Sequence, residues 1–275
     1  MMARKHAEQV LQDDDGEILS LKSVSKYFGN VIALEDVTLG VKPGSVTCVL
    51  GDNGAGKSTL IKILSGVHRN DTGMYLLNGA PVEFNSPRDA LAHGIATVHQ
   101  DLAVAPLMTA WRNFFLGNEL VKGKGIFSRL DVRESKAIVR TEMAHMGIDV
   151  RDPDQTVGTM SGGEQQALTI ARAIYFGARV LILDEPTSAL GVKQSGEVLK
   201  YIIRARERGV AIIFISHNPH HAYLVGDQFA ILNRGRLAYN YAKSDITVDD
   251  LTNAMAGGRE LDELTTEIQA LTNKL

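Results

Sequence analysis

Disulfide-forming cysteines, long apolar runs and a strong excess of either charge are all missing from this sequence. Its 275 residues include one cysteine, Cys48, so no disulfide framework can form within the chain, and a reducing compartment fits. Cys48 lies in the apolar run Val46 to Leu50 and reads as a buried strand residue, not a nucleophile. The longest aliphatic and aromatic run, Val210 to Ile215, falls far short of the roughly 20 apolar residues a spanning helix needs. The 29 Lys+Arg and 32 Asp+Glu leave a formal charge of −3. The isoelectric point near 6.2 speaks against nucleic acid as a partner, because nucleic-acid-binding domains carry a basic excess. The opening stretch MMARKHAEQVLQDDDGE has no apolar centre and carries both signs of charge, so residues 1–17 read as a flexible lead-in and not a signal peptide. What is present, 44% hydrophobic residues over this length, suits a soluble globular chain of one large or two modest domains.

Along the chain, short β-rich runs from Ile18 to about Val82 are separated by the turn pairs Pro43-Gly44 and Asn78-Gly79. One helix interrupts them, with Leu60, Ile61, Ile63, Leu64 and Val67 at helical spacing. From about Pro87 to Gly177 the pattern is mostly helical. SPRDALAHG reads as a helix, GIATVHQ as a strand, WRNFFLGNEL and DVRESKAIVRTEMAHMG as amphipathic helices, and VKGKGIFSRL as a basic loop. Beyond Arg179, VLILD, GEVLKYIIRARERG, VAIIFIS and FAILNRGRLAYN alternate strand with helix. Strands that are nearly all apolar imply a parallel sheet covered on both faces. The tail LDELTTEIQALTNKL, within residues 259–275, has a helical period.

Residues 51–59, GDNGAGKST, follow the apolar run SVTCVL and open the helix KSTLIKILSG. This is the strand–loop–helix setting of a phosphate-binding P-loop. Gly51, Gly54 and Gly56 let backbone N–H groups curl around phosphate oxygens, and the neighbouring Asn53 and Ala55 belong to the same loop. The helix N-terminus adds partial positive charge. Lys57 would reach the β- and γ-phosphates, and the Ser58 hydroxyl, followed by Thr59, would ligate Mg²⁺. In VLILDEPTSAL, Asp184 and Glu185 stand at the C-terminal end of a strand, where open parallel sheets bind ligands. Asp184 would complete the Mg²⁺ shell, and Glu185 would polarise the attacking water. In TMSGGEQQALTIARAI, Ser161 and Glu164 form the S-x-x-E pattern of a capping box. Gly162 and Gly163 leave that helix N-terminus bare enough for an anion to approach.

The succession GDNGAGKST, Gln100, MSGGEQQ, VLILDE and His217 resembles the ATP-binding subunit of ABC transporters, from Ile18 to about Gly258. The resemblance implies an α/β P-loop NTPase fold, a RecA-like core with an antiparallel β subdomain and an inserted α-helical subdomain over about 101–174. It also implies a head-to-tail dimer, most simply a homodimer, with ATP and Mg²⁺ at its interface, the P-loop of one subunit facing Ser161, Gly162 and Gly163 of the other. Gln100 matches the residue that senses Mg²⁺ and water, His217 the switch histidine at the γ-phosphate, and Tyr27 the aromatic that stacks on adenine, with Phe28 as its competitor. Two positions depart from the pattern: Glu164 replaces the usual signature Gln, and Gly191 stands where the loop after the catalytic strand usually has Asp.

Residues 66–120, SALGVKQ and the MAGG near the C-terminus are similar to the ATPases of bacterial simple-sugar importers of the ribose, xylose and fructose class. That implies membrane permease subunits as partners, a sugar-binding protein acting indirectly, and a peripheral place on the cytoplasmic face of the inner membrane. The chain has one copy of a domain that many members of the class duplicate. It also ends soon after MAGG, which disfavours the oligosaccharide-importing class with its appended regulatory domain. Trp111, Phe114, Phe115 and Leu116 are candidate contacts to the membrane subunit, as exposed aromatic clusters often mark partner sites, while at least half of them read equally as packing of the helical subdomain. Two other functions remain to be separated from this one: a non-transport ABC-type ATPase, and a nucleotide-gated interaction module without turnover.

Overall fold

The computed structural model describes residues 16–123 and 125–256. Most of the expected lead-in and the helical tail expected over 259–275 lie outside these residues. Four strands form an antiparallel sheet, in the order β2 (Val31–Val41), β1 (Leu19–Phe28), β4 (Thr72–Leu77), β5 (Ala80–Pro81). A second sheet has six strands in the order β12 (Arg236–Ala242), β11 (Gln228–Asn233), β3 (Val46–Leu50), β10 (Ala211–Ser216), β9 (Val180–Asp184), β6 (Ile95–Val98). All neighbours in it pair in parallel except β11 with β12. The stretch FAILNRGRLAYN is thus a hairpin, turning where Arg234 and Gly235 both take positive φ, the conformation a tight two-residue turn requires.

The parallel strands are buried on both faces, which is why VTCVL, VLILD and AIIFIS carry almost no polar residue. Side chains alternate across the sheet and divide the core in two. Val49, Ile182, Ile213 and Ile215 face helix α1 (Lys57–Leu64) and the antiparallel sheet, meeting Leu60, Ile63, Leu64, Leu21 and Leu34. Cys48, Leu50, Leu181, Leu183 and Phe214 belong to the other face. Burial pushes the Cys48 thiol up, so it stays protonated and inert. Short α2 (Pro87–Ala92) leads into β6; Ser86 caps it and proline occupies its first turn.

Between β6 and β9 lie α3 (Ala110–Phe115), α4 (Val132–His145) and α5 (Gly162–Tyr175). The segment expected as a basic loop carries a small antiparallel pair, β7 (Val121–Lys122) and β8 (Arg129–Leu130). The helix expected over WRNFFLGNEL stops at Phe115, with Gly117 at positive φ just beyond. Trp111, Phe114 and Phe115 are buried, and Trp111 Nε1 donates to Asp154 Oδ1 at 3.0 Å. Phe114 and Phe115 pack edge-on and tilted against Tyr175 and Phe176. These three aromatics therefore pack the helical segment and present no surface to a partner. Only Leu116 of the four, 38% exposed, remains available. The last helices, α6 (Val192–Glu207), α7 (Pro219–Val225) and α8 (Val248–Met255), close the fold. Among the described residues no helix is long and apolar enough to cross a membrane.

Asn113 braces the segment that follows Gln100. It is 2% exposed, its Oδ1 accepts from the Ala105 N–H at 2.7 Å, and its Nδ2 is shared among the carbonyls of Ala105, Met108 and Thr109 at 3.0–3.2 Å. Asn113→Leu leaves the Ala105 N–H without its partner and removes a second donor from three carbonyls that otherwise keep only the N–H groups of Met108, Val157 and Asn113. It is expected to cost about 2 kcal/mol of stability in urea unfolding, well above the effect of an exposed substitution.

Candidate functional site

The phosphate loop crosses from β3 to α1 with a backbone that only glycine allows at two points. Gly51 takes φ 146, and a Cβ there would stand 2.3 Å from the Leu232 carbonyl oxygen. Gly56, the N-cap of α1, takes φ 109, and a Cβ there would meet Leu34 Cδ2 at 2.9 Å and the Ala33 carbonyl oxygen at 3.0 Å. The β11–β12 turn clamps the loop, because Gly235 N–H donates to the Ala55 carbonyl at 2.9 Å. Lys57 Nζ donates to the carbonyls of Gly51 at 2.5 Å and Asp52 at 3.0 Å, which holds the ammonium over the loop.

Asn53, Gly54, Gly56, Lys57, Ser58 and Thr59 line one side of a cleft of about 570 Å³, and Gln100, Asp184 and Glu185 line it from the neighbouring strand ends. The cleft falls in the size range of small-molecule sites. Gly51 and the buried Ala55 lie behind this lining. Val31, Ile32, Ala33, Arg234 and Gly235 supply the remaining wall. The strand motifs gave no sign of these five. The only local signal was the Arg-Gly turn.

Glu185 and Arg234 are the two residues lining the cleft that hold a Cβ at positive φ. The φ of Glu185 is 48, the left-handed region that a residue with a Cβ rarely adopts, and its N–H donates to the Ile215 carbonyl at 3.0 Å. His217 Nδ1 lies 2.9 Å from Glu185 Oε1. The other oxygen, Oε2, is buried and has no hydrogen-bond partner among the described residues. Beside it, burial raises the Asp184 carboxyl above its ordinary value of 3.8; His99 opposes the shift and the Glu185 charge adds to it. His99, whose Nδ1 lies 3.9 Å from Asp184 Oδ2, was not singled out by the sequence, although it directly precedes Gln100.

Four expected residues lie elsewhere, three of them those expected to face the cleft of a second copy. Ser161, Gly162 and Gly163 line no part of this cleft. Ser161 caps α5 in a full capping box: Glu164 N–H donates to Ser161 Oγ at 3.3 Å, and Ser161 N–H donates to Glu164 Oε2 at 2.8 Å. Gly162 packs so closely on Leu190 that a Cβ would come within 2.7 Å of its Cδ2. Gly191 is the N-cap of α6 and contributes no side-chain bond there. Tyr27 does not line the cleft either; it pairs across the sheet with Ile32, which does. Its N–H donates to Asp71 Oδ2 at 2.6 Å, and this bond, with Lys26, holds the Asp71 carboxyl below its usual range. Phe28 pairs with Val31, and its ring meets His68 edge-on with centroids 5.3 Å apart.

This geometry has counterparts in known proteins. The xylose/arabinose import ATP-binding protein XylG of Sulfolobus acidocaldarius is 38% identical over 239 residues, spanning 87% of this chain and 94% of that one. The fructose import ATP-binding protein FrcA of Rhizobium meliloti is 40% identical over 248 residues, spanning 88% and 95%. Among solved structures, an ATP-binding cassette of an ABC transporter in its ADP conformation superposes with a TM-score of 0.75 at 20% identity, covering 90% of this chain and 97% of its own. A dimeric cassette in a post-hydrolysis state bound to ADP and Pi gives 0.66 at 23%, covering 82% and 98%. The family model for ABC transporters matches residues 34–188, which contain the phosphate loop, the capping box and the two carboxylates. With a sheet, a loop and strand-end carboxylates disposed in this way, the chain belongs to the ABC transporter family, built as its ATP-binding cassette.

Proposed function

We propose that the chain is the ATP-hydrolysing subunit of an importer, energising uptake of a simple sugar through partner membrane subunits. The observation that carries the hydrolytic reading is Glu185, which lines the same cleft as the phosphate loop and has His217 Nδ1 within hydrogen-bond distance of its carboxylate. The loop amides, the α1 N-terminus and Lys57 would hold the triphosphate. His217 engages one oxygen of Glu185 and leaves the buried Oε2, without a partner among the described residues, to accept a proton from the attacking water. Ser58, Gln100 and Asp184 line the cleft together and offer oxygen donors, the ligand chemistry that Mg²⁺ takes alongside substrate phosphates. The bound ion would neutralise charge on the transferring phosphate. Ser161, Gly162 and Gly163, which lie outside this cleft, would complete the cleft of a second copy in a head-to-tail homodimer.

The import reading is supported by the names of the xylose/arabinose and fructose relatives. A second cleft of about 320 Å³, lined by Val67, Leu91, Ala103, Asn118, Arg172 and Phe176, is the proposed seat of the membrane permease subunit. It takes over the role that the sequence assigned to the buried aromatics of α3. The chain would then sit peripherally on the cytoplasmic face of the membrane and depend indirectly on a sugar-binding protein outside.

Glu185→Gln is expected to keep ATP affinity and to slow phosphate release by at least about 100-fold, the range of lost general-base catalysis, while ATP-bound dimer accumulates in gel filtration. Unchanged turnover would remove Glu185 from the role of base. Lys57→Ala is expected to lose ATP binding in calorimetry. Asp184→Asn should abolish turnover and yet raise the melting temperature at neutral pH, because it removes a charge whose pKa burial has raised. That gain is present above the folded pKa and fades as the pH falls towards the ordinary aspartate value of 3.8. Uptake of individual labelled sugars in a deletion strain identifies the substrate, and normal uptake of all simple sugars would contradict the import reading.

A further inference from the structure

The loop after β9 is tied to the start of α7 at two points. The first is the Glu185–His217 pair already described. The second is two residues on: Thr187, 4% exposed, places its Oγ1 3.0 Å from Nδ1 of His221. His217 and His221 flank Asn218, whose Oδ1 accepts from the His221 N–H at 3.1 Å and caps α7. Burial lowers the pKa of His221, as do the neighbouring His220 and His217, which favours the neutral ring, and the tautomer sets which of Nδ1 and the Thr187 hydroxyl donates in the bond between them. Thr187 is anchored on its backbone as well, its carbonyl accepting from Ser195 Oγ and from the Leu190 N–H, both at 3.4 Å.

A left-handed residue with a Cβ persists only where its surroundings over-determine it. On the amino side of Glu185 the sheet does this through the Ile215 carbonyl. On the carboxyl side the Ser188 hydroxyl donates to the Glu185 carbonyl at 2.9 Å, and His221 is the side chain of α7 that hydrogen-bonds this turn, beside His217 just ahead of the helix. We propose that His221 is a positioning residue for the hydrolytic reaction: by holding Thr187 it fixes the turn at Glu185 and keeps that carboxylate in place on the cleft. The inference rests on Glu185 acting as the base. It adds a second histidine that touches neither nucleotide nor water and acts through Thr187.

The test is steady-state Mg-ATP turnover of the full chain, with a thermal melt for each variant. His221→Phe, which keeps the ring and loses its nitrogens, should lower kcat about tenfold and leave the KM for ATP within about twofold, since one hydrogen bond is lost and the phosphate loop is untouched. His221→Asn, whose amide stands where Nδ1 was, should restore kcat to within about threefold of the wild type. Thr187→Val should reproduce the loss, and the double variant should be no slower than either single one, as residues acting through one bond are not additive. If the phenylalanine variant does not fold, the nearly isosteric Thr187→Val carries the test. Wild-type kcat in either variant, a parallel change in KM and kcat, failure of asparagine to rescue, or additive losses would each overturn the proposal. Turnover abolished by Glu185→Gln but normal in His221→Phe overturns the role of His221 alone. Turnover unaffected by Glu185→Gln overturns the reading of the base beneath it.

Discussion

Everything at the cleft depends on the in-register parallel pairing of three central strands. Leu50 pairs with Ser216, and Ile215 pairs with Asp184, so β3, β10 and β9 end side by side. The residues just past these ends are Gly51, His217 and Glu185. A slip of one residue would turn every side chain of a strand to the other face. The two-sided burial of Val49, Ile182 and Ile213 against Cys48, Leu181 and Phe214 makes such a slip costly. The core is therefore also what aligns the chemistry.

From that edge the loops diverge in character. The phosphate loop is held by backbone contacts, its glycines packed against Leu232, Leu34 and Ala33. The loop after β9 is held by side chains, with His217 on Glu185 and His221 on Thr187. The first arrangement suits a cradle that offers N–H groups in fixed directions. The second suits a carboxylate whose position can respond to α7 and α6. The capping-box segment belongs to neither, and Gly162 lies close against Leu190 of the same loop. Gly191, where the resemblance expects Asp, offers that loop no side chain, and its carbonyl accepts from the Ser195 N–H at 2.9 Å to open α6.

The parts legible in the sequence are those encoded by neighbours along the chain. GDNGAGKST specifies its own turn, S-x-x-E its own cap, and VLILD a buried strand that ends in carboxylates. Alternating apolar strands and helices were sufficient for the α/β class. The parts that were not legible depend on elements far apart in sequence. Trp111, Phe114 and Phe115 have the composition of a contact surface, and only their burial, with Tyr175 and Phe176 against the two phenylalanines and Asp154 on the indole N–H, shows that they are core. VKGKGIFSRL has the glycines of a loop, and its strand pair is too short for alternation to register. Tyr27 and Phe28 are adjacent aromatics on one strand, and the partners that distinguish them, Ile32 and Val31, lie across a turn. Thr187 and His221 look ordinary in isolation, because their meaning arises from a bond that joins two loops.

The most direct measurement is a structure of the Glu185→Gln chain with Mg-ATP, in which hydrolysis is arrested but the cleft is otherwise intact. The predicted result has the triphosphate on the amides of residues 53–58, the γ-phosphate beside Lys57, His217 and the substituted side chain at position 185, and Ser161 to Gly163 of a second copy closing over it. Nucleotide bound away from the phosphate loop, or a closed cleft whose strand-end residues do not reach the γ-phosphate, would contradict the alignment of the site by the sheet.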